Sequence, residues 1–447
     1  MSGRIAVVGG GFAGVAAACR LAGDGHRPIL FERTGRLGGR AASFRDPASG
    51  GDVDYGHHVS MRCCTATDGL LRRIGKGDAI RYQSALSVPI LCGKTRSDLR
   101  STLLLPGAVH LLPALLRYRC LARRDRLAVL RAGGALLIGA RADRSFGDWL
   151  RAHGQSPRAI ERLWEPICVA TLNARVDEVG LRAARKVLRD GFLSRDGAGL
   201  GLFTTPMSRV FEAAREYVES HGGEVRTSNP VRRIRVEAGR AVGVETDGGE
   251  TVDVDGVVAS VPPWELRRLI PGDLLAPTLA AAARLSWSPI VNVHLWLDRS
   301  ILDEEFVIAV DSPVQAAFDV TRIHEGAGEE TTHLAISQSA ARAWIDRSCG
   351  EVADEIVGSL ADLIPAVCGA RVVRHIVIVR RRATFIPAPG TDGLRPAAKT
   401  RIDRLFLAGD WTATGWPSTV EGAVRSGIAA AARAEADLEA DEPEPTS

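Results

Sequence analysis

Gly9-Gly10-Gly11-Phe12-Ala13-Gly14 lies between an apolar run, Ile5-Ala6-Val7-Val8, and a small-residue helical pattern over 12–23. This is the G-x-G-x-x-G spacing that holds the pyrophosphate of a dinucleotide. Gly9 permits the tight turn, Gly11 lets the backbone approach the phosphates, and Gly14 lets helix and strand pack closely. Phe12 and Ala13 open the helix, whose N-terminus turns N–H groups and partial positive charge toward an anion. Glu32 closes a second strand-like run eighteen residues after Gly14, where a carboxylate accepts hydrogen bonds from an adenosine ribose, and Arg33 follows it. Glycines alone would say little. Strand, helix and acid in register make this a dinucleotide site.

Three further stretches choose between FAD and NAD. Arg36-Leu37-Gly38-Gly39-Arg40 puts two glycines and two arginines directly after the ribose acid, which suits a pyrophosphate gripped from both sides. Near the other end, Ala408-Gly409-Asp410 closes a hydrophobic strand. A carboxylate beside phosphates is repulsive unless it accepts a bond from a hydroxyl, and the ribityl chain of FAD supplies one. Thr419 and Val420 then open a last helix whose N-terminus can face the flavin N1–C2=O edge. A surface loop with an ordinary helix cap would explain Gly409-Asp410 alone, but not all three stretches. FAD is the expected cofactor, and no second dinucleotide fingerprint is present. Gly197-Ala198-Gly199-Leu200-Gly201 has the glycines without a preceding strand and reads as a flexible loop.

The elements that must position these residues are legible from periodicity. Residues 4–8 and a run ending at Phe31 read as buried strands. A helix carries Val210, Phe211, Ala214 and Val218 on one face, and strands follow over 225–227, 231–236, 241–245 and 257–261. Alternation returns over Ile290–Trp296 and His375–Val379, and Leu405-Phe406-Leu407-Ala408 leads into a helix through Ala432. Residues 102–140 are leucine-rich, and 117–144 hold eight arginines against two aspartates. They read either as core helices with solvated arginine faces or as a patch for an anionic membrane.

Composition narrows the class further. The 447 residues fit two large or three compact units. Net charge is +4, but the last thirteen residues hold six acids and no base, so 1–434 carry +10, almost all of it arginine. Codon bias explains that excess better than a nucleic-acid surface, so no nucleic acid is expected. Lysine occurs only at 76, 94, 186 and 399, which disfavours a P-loop or Schiff-base enzyme. Eight scattered cysteines without C-x-x-C indicate a reduced, cytoplasmic protein. A strand after four residues leaves no room for a signal peptide, and no run of 18 apolar residues spans a membrane. His57-His58 has no carboxylate or cysteine at ligand spacing, so no metal is expected.

The glycine motif, Arg36 to Arg40 and the C-terminal Gly409-Asp410 together resemble the flavin amine oxidase and phytoene desaturase superfamily. Leu163–Asn173, Arg381-Arg382-Ala383-Thr384-Phe385 and Gly409–Pro417 are similar to its squalene-associated branch, the hydroxysqualene dehydroxylases of hopanoid synthesis. The resemblance runs from residue 5 to about 430 and is thinnest between 75 and 145. It implies an α/β fold, with a Rossmann-like FAD domain interleaved with a substrate domain of mixed sheet plus helices. The FAD domain is expected over 1–60, 203–262 and 386–434. A substrate and membrane-docking domain would take 61–202 and 263–385, with a disordered acidic tail over 435–447.

The resemblance also implies that Val231 reads the adenine through its backbone. The family shows Asp-Asn-Gly-Gln-His beside the flavin, where this chain has Asp54-Tyr55-Gly56-His57-His58. Asp54, Gly56 and His58 match; Tyr55 and His57 do not. Gly56 is therefore expected at the cofactor, and His58, with His57, as proton donor or orienter of a leaving hydroxyl. Trp164 and Glu165 are read as a helix terminus or as pocket lining. FAD should be noncovalent, because the family's attachment cysteine lies near the C-terminal motif and the last one here is Cys368. The implied substrate is a polyisoprenoid lipid collected at the inner face of the membrane, with an external electron donor. A carotenoid-type desaturase is the alternative. An amine oxidase fits less well, since Ser288–Arg299 has no lysine and no tyrosine follows Tyr217. A non-catalytic FAD-bound lipid carrier is a further option that no residue favours.

Overall fold

A computed structural model describes residues 2–102, 104–105, 107–138, 143–194, 196–324 and 331–440. Along the chain, the strands that position the site begin with β1 (Arg4–Val8), β2 (Arg27–Phe31), β3 (Ser87–Cys92), β4 (Thr95–Arg100), β5 (Glu224–Arg226) and β6 (Gly256–Ala259). They continue with β7 (Trp287–Leu297), β8 (Phe306–Val310), β9 (Ala316–Asp319), β10 (Thr332–Ser339), β11 (Val372–Phe385) and β12 (Leu405–Leu407). The helices that matter most are α1 (Phe12–Gly23), α2 (Met207–Ser220), α3 (Cys349–Leu363) and α4 (Val420–Glu439).

Strands β5, β2, β1, β6 and β12 form a parallel sheet in that order. Its strands are near-continuous apolar runs because both faces are covered. Ile5, Val7, Val258 and Phe406 face α1, α2 and α4, while Ala6, Val8, Val257 and Leu407 face an antiparallel ribbon built from 231–253. The carboxyl ends of β1, β2, β6 and β12 open on one edge, where ligands of doubly wound sheets bind.

The second sheet is mixed, in the order β11-β7-β10-β9-β8-β3-β4, with only β8 and β3 parallel. Val291, Val293, Leu295, Leu334 and Ile336 bury one face against Val352, Ile356 and Leu360 of α3. Asn292, His294 and Trp296 alternate onto the other face of β7. The expected α/β architecture, a Rossmann-like sheet with a mixed substrate sheet and helices, is the one formed.

Three local expectations change. Residues 200–203 are a strand paired on both sides, with Val59–Met61 and with Ile80–Tyr82, not a flexible loop. A Cβ at Gly201 would collide with Ile80 and Tyr82, so this glycine marks close packing inside a strand. The acidic tail does not begin at 435: α4 runs to Glu439, held by Glu435 on Arg20 at 2.8 Å and by Asp437 on Lys399 at 2.9 Å. Residues 441–447 lie outside the described residues. The leucine-rich stretch is helical at Leu112–Arg117 and Arg123–Ile138, and part of it packs into the core. Leu111, Val129, Ala132 and Leu136 are buried, while Leu104 and Ile138 are about nine-tenths exposed, at 91 % and 89 %. Leu103, Pro106 and 139–142 lie outside the described residues.

Candidate functional site

Gly9 takes φ +108°, and its N–H donates to the Phe31 carbonyl at 2.8 Å. Ser260 Oγ, at the end of β6, donates to the Gly9 carbonyl at 2.7 Å and so ties the turn to a third strand. A Cβ on Gly14 would overlap that same carbonyl oxygen, which is why only glycine lets α1 sit so close to β1. Gly11 differs. A Cβ there would meet nothing nearer than Gly39 Cα at 4.0 Å, so its surroundings are open. Gly11 is the N-cap of α1 without a side-chain cap, and the first turn holds no acid. The N–H groups of a first helical turn have no partner within the helix, and the open space beside Gly11 fits an approaching pyrophosphate.

Glu32 is 8 % exposed and is held from two sides. Gly10 N–H donates to its Oε2 at 2.8 Å, and Thr34 N–H and Oγ donate to its Oε1 at 2.9 Å each. Its remaining lone pairs can accept ribose hydroxyls. Gly38, at φ +120°, donates its N–H to the Gly10 carbonyl at 2.8 Å, so the two glycine turns are joined. Gly39 follows at φ +56°. Arg40 donates to the Ala383 carbonyl at 2.9 Å and forms a two-pronged ion pair with Asp410. Segments 370 residues apart in sequence thus meet at one carboxylate.

Asp410 is 3 % exposed and also accepts from Ser418 Oγ. Gly409, at φ +130°, donates its N–H to Ser426 Oγ at 2.7 Å. Arg395 donates to the Asp410 carbonyl at 3.0 Å. Thr419 caps α4 by accepting from Gly422 N–H at 3.1 Å, and Val420 is its first residue. These residues fit FAD: an uncapped helix start, a buried ribose acid and a second buried carboxylate share one sheet edge.

The other residues expected at the site sit differently. Phe12 packs on Phe211 with ring centres 4.8 Å apart, and Ala13 is buried where α4 passes at Gly427. Arg33 is two-thirds exposed and lies 3.4 Å from Glu265. Val231 begins the ribbon opposite Thr246. Ser260, Thr34, Arg395, Ser418 and Ser426 support the site without belonging to any sequence motif. They hold backbone or carboxylate from outside the glycine motifs, and no spacing announces them.

The loop over 54–58 lies against the second sheet. Gly56 meets the Asn292 side chain so closely that a Cβ would strike it. Asp54 accepts from Ser43 Oγ at 2.6 Å and Met207 N–H at 2.9 Å, yet burial pushes its carboxyl up to about 6. The His57 ring packs against Phe318 with ring centres 4.8 Å apart and the planes tilted by 34°. Burial pushes His58 down to about 4 and holds His57 well below the ordinary histidine range. At neutral pH both rings are uncharged. They can orient a hydroxyl by hydrogen bonding but do not hold a ready imidazolium proton, which narrows the expected donor role to orientation. Trp164 is a core residue donating to Gln155 Oε1 at 2.9 Å, and Glu165 accepts from Val176 N–H at 2.8 Å; neither is pocket lining here. Among the described residues no group of three or more His, Cys, Asp or Glu is arranged to hold a metal.

The family described as flavin containing amine oxidoreductase matches this chain over residues 12–434. A 15-cis-phytoene desaturase of Solanum lycopersicum is 25 % identical over 446 residues, covering 95 % of this chain and 76 % of that one. A hydroxysqualene dehydroxylase of Sinorhizobium fredii is 27 % identical over 440 residues, covering 96 % and 97 %. The crystal structure of an oxidoreductase from Methanosarcina mazei superposes with a TM-score of 0.73 at 16 % identity, over 95 % of this chain and 99 % of that one.

Proposed function

The chain belongs to the flavin containing amine oxidoreductases and is an FAD-dependent oxidoreductase, and within that family we propose that it removes the hydroxyl of hydroxysqualene to give squalene. Bound FAD, when reduced, supplies a hydride. Overall, the alcohol, one hydride and one proton become hydrocarbon and water, and an external reductant restores the cofactor's two electrons. The chain's own work is to hold the hydroxyl, exclude water and keep the allylic carbon facing the cofactor.

The observation that carries this reading is the lining of the second sheet beside loop 54–58. Phe306, Ala316, Phe318, Ile323 and Ala335 form an apolar cluster there, and the polar ring of His57 packs against its Phe318; an apolar setting with a polar ring at its edge supports an isoprenoid alcohol as substrate. Strand β7 carries no lysine on that surface. The similarity to the Sinorhizobium protein over nearly its whole length supports the same choice. A phytoene-type desaturase is the second reading, favoured by the comparable identity of the Solanum protein. We further propose that FAD is held noncovalently and that the exposed leucines and arginines of 104–138 dock on an anionic membrane. Among the described residues no helix is long and apolar enough to cross one.

The direction of reaction decides between the readings. Reduced enzyme mixed anaerobically with hydroxysqualene should reoxidise its flavin and release squalene. Oxidised enzyme should not be reduced by phytoene or squalene. Bleaching of oxidised enzyme by phytoene, with no reoxidation by the alcohol, would replace the dehydroxylase with a desaturase.

A further inference from the structure

Glu421 is the second residue of α4, and it is only 1 % exposed. A charge taken out of water is tolerated only where donors surround it. Four do so here. Oε1 accepts from Ala66 N–H at 3.0 Å and from Arg425 Nε at 2.7 Å. Oε2 accepts from Thr67 N–H and Thr67 Oγ at 2.8 Å each. Ala66 and Thr67 lie in the first turn of the helix Thr65–Arg73, and Thr67 is 354 residues away from Glu421 in sequence. Cys64 gives that helix no side-chain cap, so the carboxylate of Glu421 supplies the acceptor its own N-cap residue does not. Arg425 adds a second tie by donating to Thr65 Oγ at 3.0 Å.

This joint fixes the end of α4 that borders the cofactor cradle. Two residues before α4 begins, Ser418 donates to Asp410, and Thr419 caps the helix at 3.1 Å. A Cβ on Gly422 would come 2.6 Å from the Pro417 carbonyl oxygen, so the first turn is folded tightly onto the segment that leads into it. Segment 417–422 is thus held at one end by the cradle and at the other by the helix Thr65–Arg73. A glutamate in a first turn complements the helix dipole equally well from the surface. Burial against four donors is more than that task requires, and it points to a joint. The start of α4 carries the partial positive charge of N–H groups without helical partners, and such charge favours the electrons a flavin gains on reduction. How strongly it acts depends on where the turn is held.

We infer that Glu421 is a positioning residue for FAD, locking the start of α4 to the helix Thr65–Arg73 and so setting both FAD retention and the flavin midpoint potential. This rests on FAD as cofactor and not on the dehydroxylase reading, so it is tested without substrate. Glu421→Gln is the first variant, because an amide has one acceptor oxygen for two sets of donors and turns its NH2 toward one of them. Thr67→Val is the second. It keeps the shape of the side chain, removes a single donor from the far side of the joint and decides the matter where Glu421→Gln does not fold. Midpoint potentials of the FAD-loaded proteins are measured anaerobically against a reference dye, and flavin fluorescence released on dilution gives retention. Glu421→Gln should weaken FAD binding about 10-fold or more and move the midpoint to lower potential. Thr67→Val should shift both in the same direction by less.

A midpoint that rises in Glu421→Gln overturns the inference, since the carboxylate's own charge, and not the place of the helix, would then act on the flavin. A thermal unfolding midpoint that falls while potential and retention stay at wild-type values overturns it too, because the joint would then serve the fold alone. Where only Thr67→Val can be obtained, wild-type potential and retention in that variant overturn it.

Discussion

Glu32 and Asp410 do two jobs each, and that makes their substitution informative. Both oxygens of Glu32 already hold the glycine turn, through Gly10 and Thr34. Asp410 holds Arg40 and Ser418. Glu32→Ala removes charge-assisted bonds worth about 1.5–3 kcal/mol each, so FAD affinity should fall by roughly 10- to 100-fold. Asp410→Ala should do at least as much, since it also leaves Arg40 without its partner. The ratio of flavin to protein absorbance after gel filtration measures both. Occupancy equal to wild type would remove these carboxylates from the cofactor site. Both were legible in sequence because an acid at the end of a strand has few other reasons to be there. His294 was legible only in part. The alternation from Ile290 to Trp296 puts it on one face with Asn292 and Trp296, but no local pattern shows that His57, His324 and His333 meet it. Those contacts depend on strand register and on a loop laid across the sheet, and neither leaves a mark in spacing.

At the scale of elements, the turn between β1 and α1 separates folding from binding. Gly14 has no room for a methyl group, whereas Gly11 has open surroundings. Gly14→Ala should therefore lower the thermal unfolding midpoint and the soluble yield. Gly11→Ala should keep the fold but lose FAD, because its methyl group would occupy the place of the approaching cofactor. Circular dichroism and flavin content distinguish the two, and a Gly11 variant with full flavin would contradict the assignment. The exposed stretch makes a separate prediction. Leu104, Leu116, Leu127 and Ile138 point outward, and Arg117, Arg123, Arg124 and Arg131 are exposed near them. Arginines near an anionic surface contribute about 1 kcal/mol each and are screened within about 8 Å at physiological salt. Flotation with liposomes should need anionic lipid, weaken with salt and fall in a Leu104→Ser, Ile138→Ser variant. Flotation indifferent to lipid charge would leave these residues as an ordinary helix surface. The parallel sheet was readable because its strands are short apolar runs flanked by glycine. The parallel pairing of β8 with β3 was not, because strands more than two hundred residues apart carry no sign of each other.

For the whole molecule, the buried histidines tie stability to pH. His58 and His294 sit at about 4, and His57, His324 and His333 are also held below the unfolded value of 6.5. In the unfolded chain each of these rings takes up a proton as pH falls through 6.5, while in the folded chain it does not. Stability is therefore full above about pH 6.5 and is lost as pH falls toward 4, at up to about 1.4 kcal/mol per pH unit for each histidine. Asp54 works in the opposite sense. Its folded value of about 6 lies above the unfolded 3.8, so the folded chain binds that proton first and gains stability over the same range. Burial raises the Glu165 and Asp319 carboxyls as well, so three carboxyls offset part, but not all, of the effect of five rings. The unfolding midpoint of the FAD-loaded protein should thus drop steeply between pH 7 and pH 5, before the carboxylate ion pairs titrate. The double variant His57→Leu, His294→Gln should flatten the slope, because it removes two of the groups that only the unfolded state protonates. Flavin fluorescence followed in the same scans separates unfolding from simple loss of cofactor. A double variant that keeps the wild-type slope would mean that these rings are not buried as neutral groups.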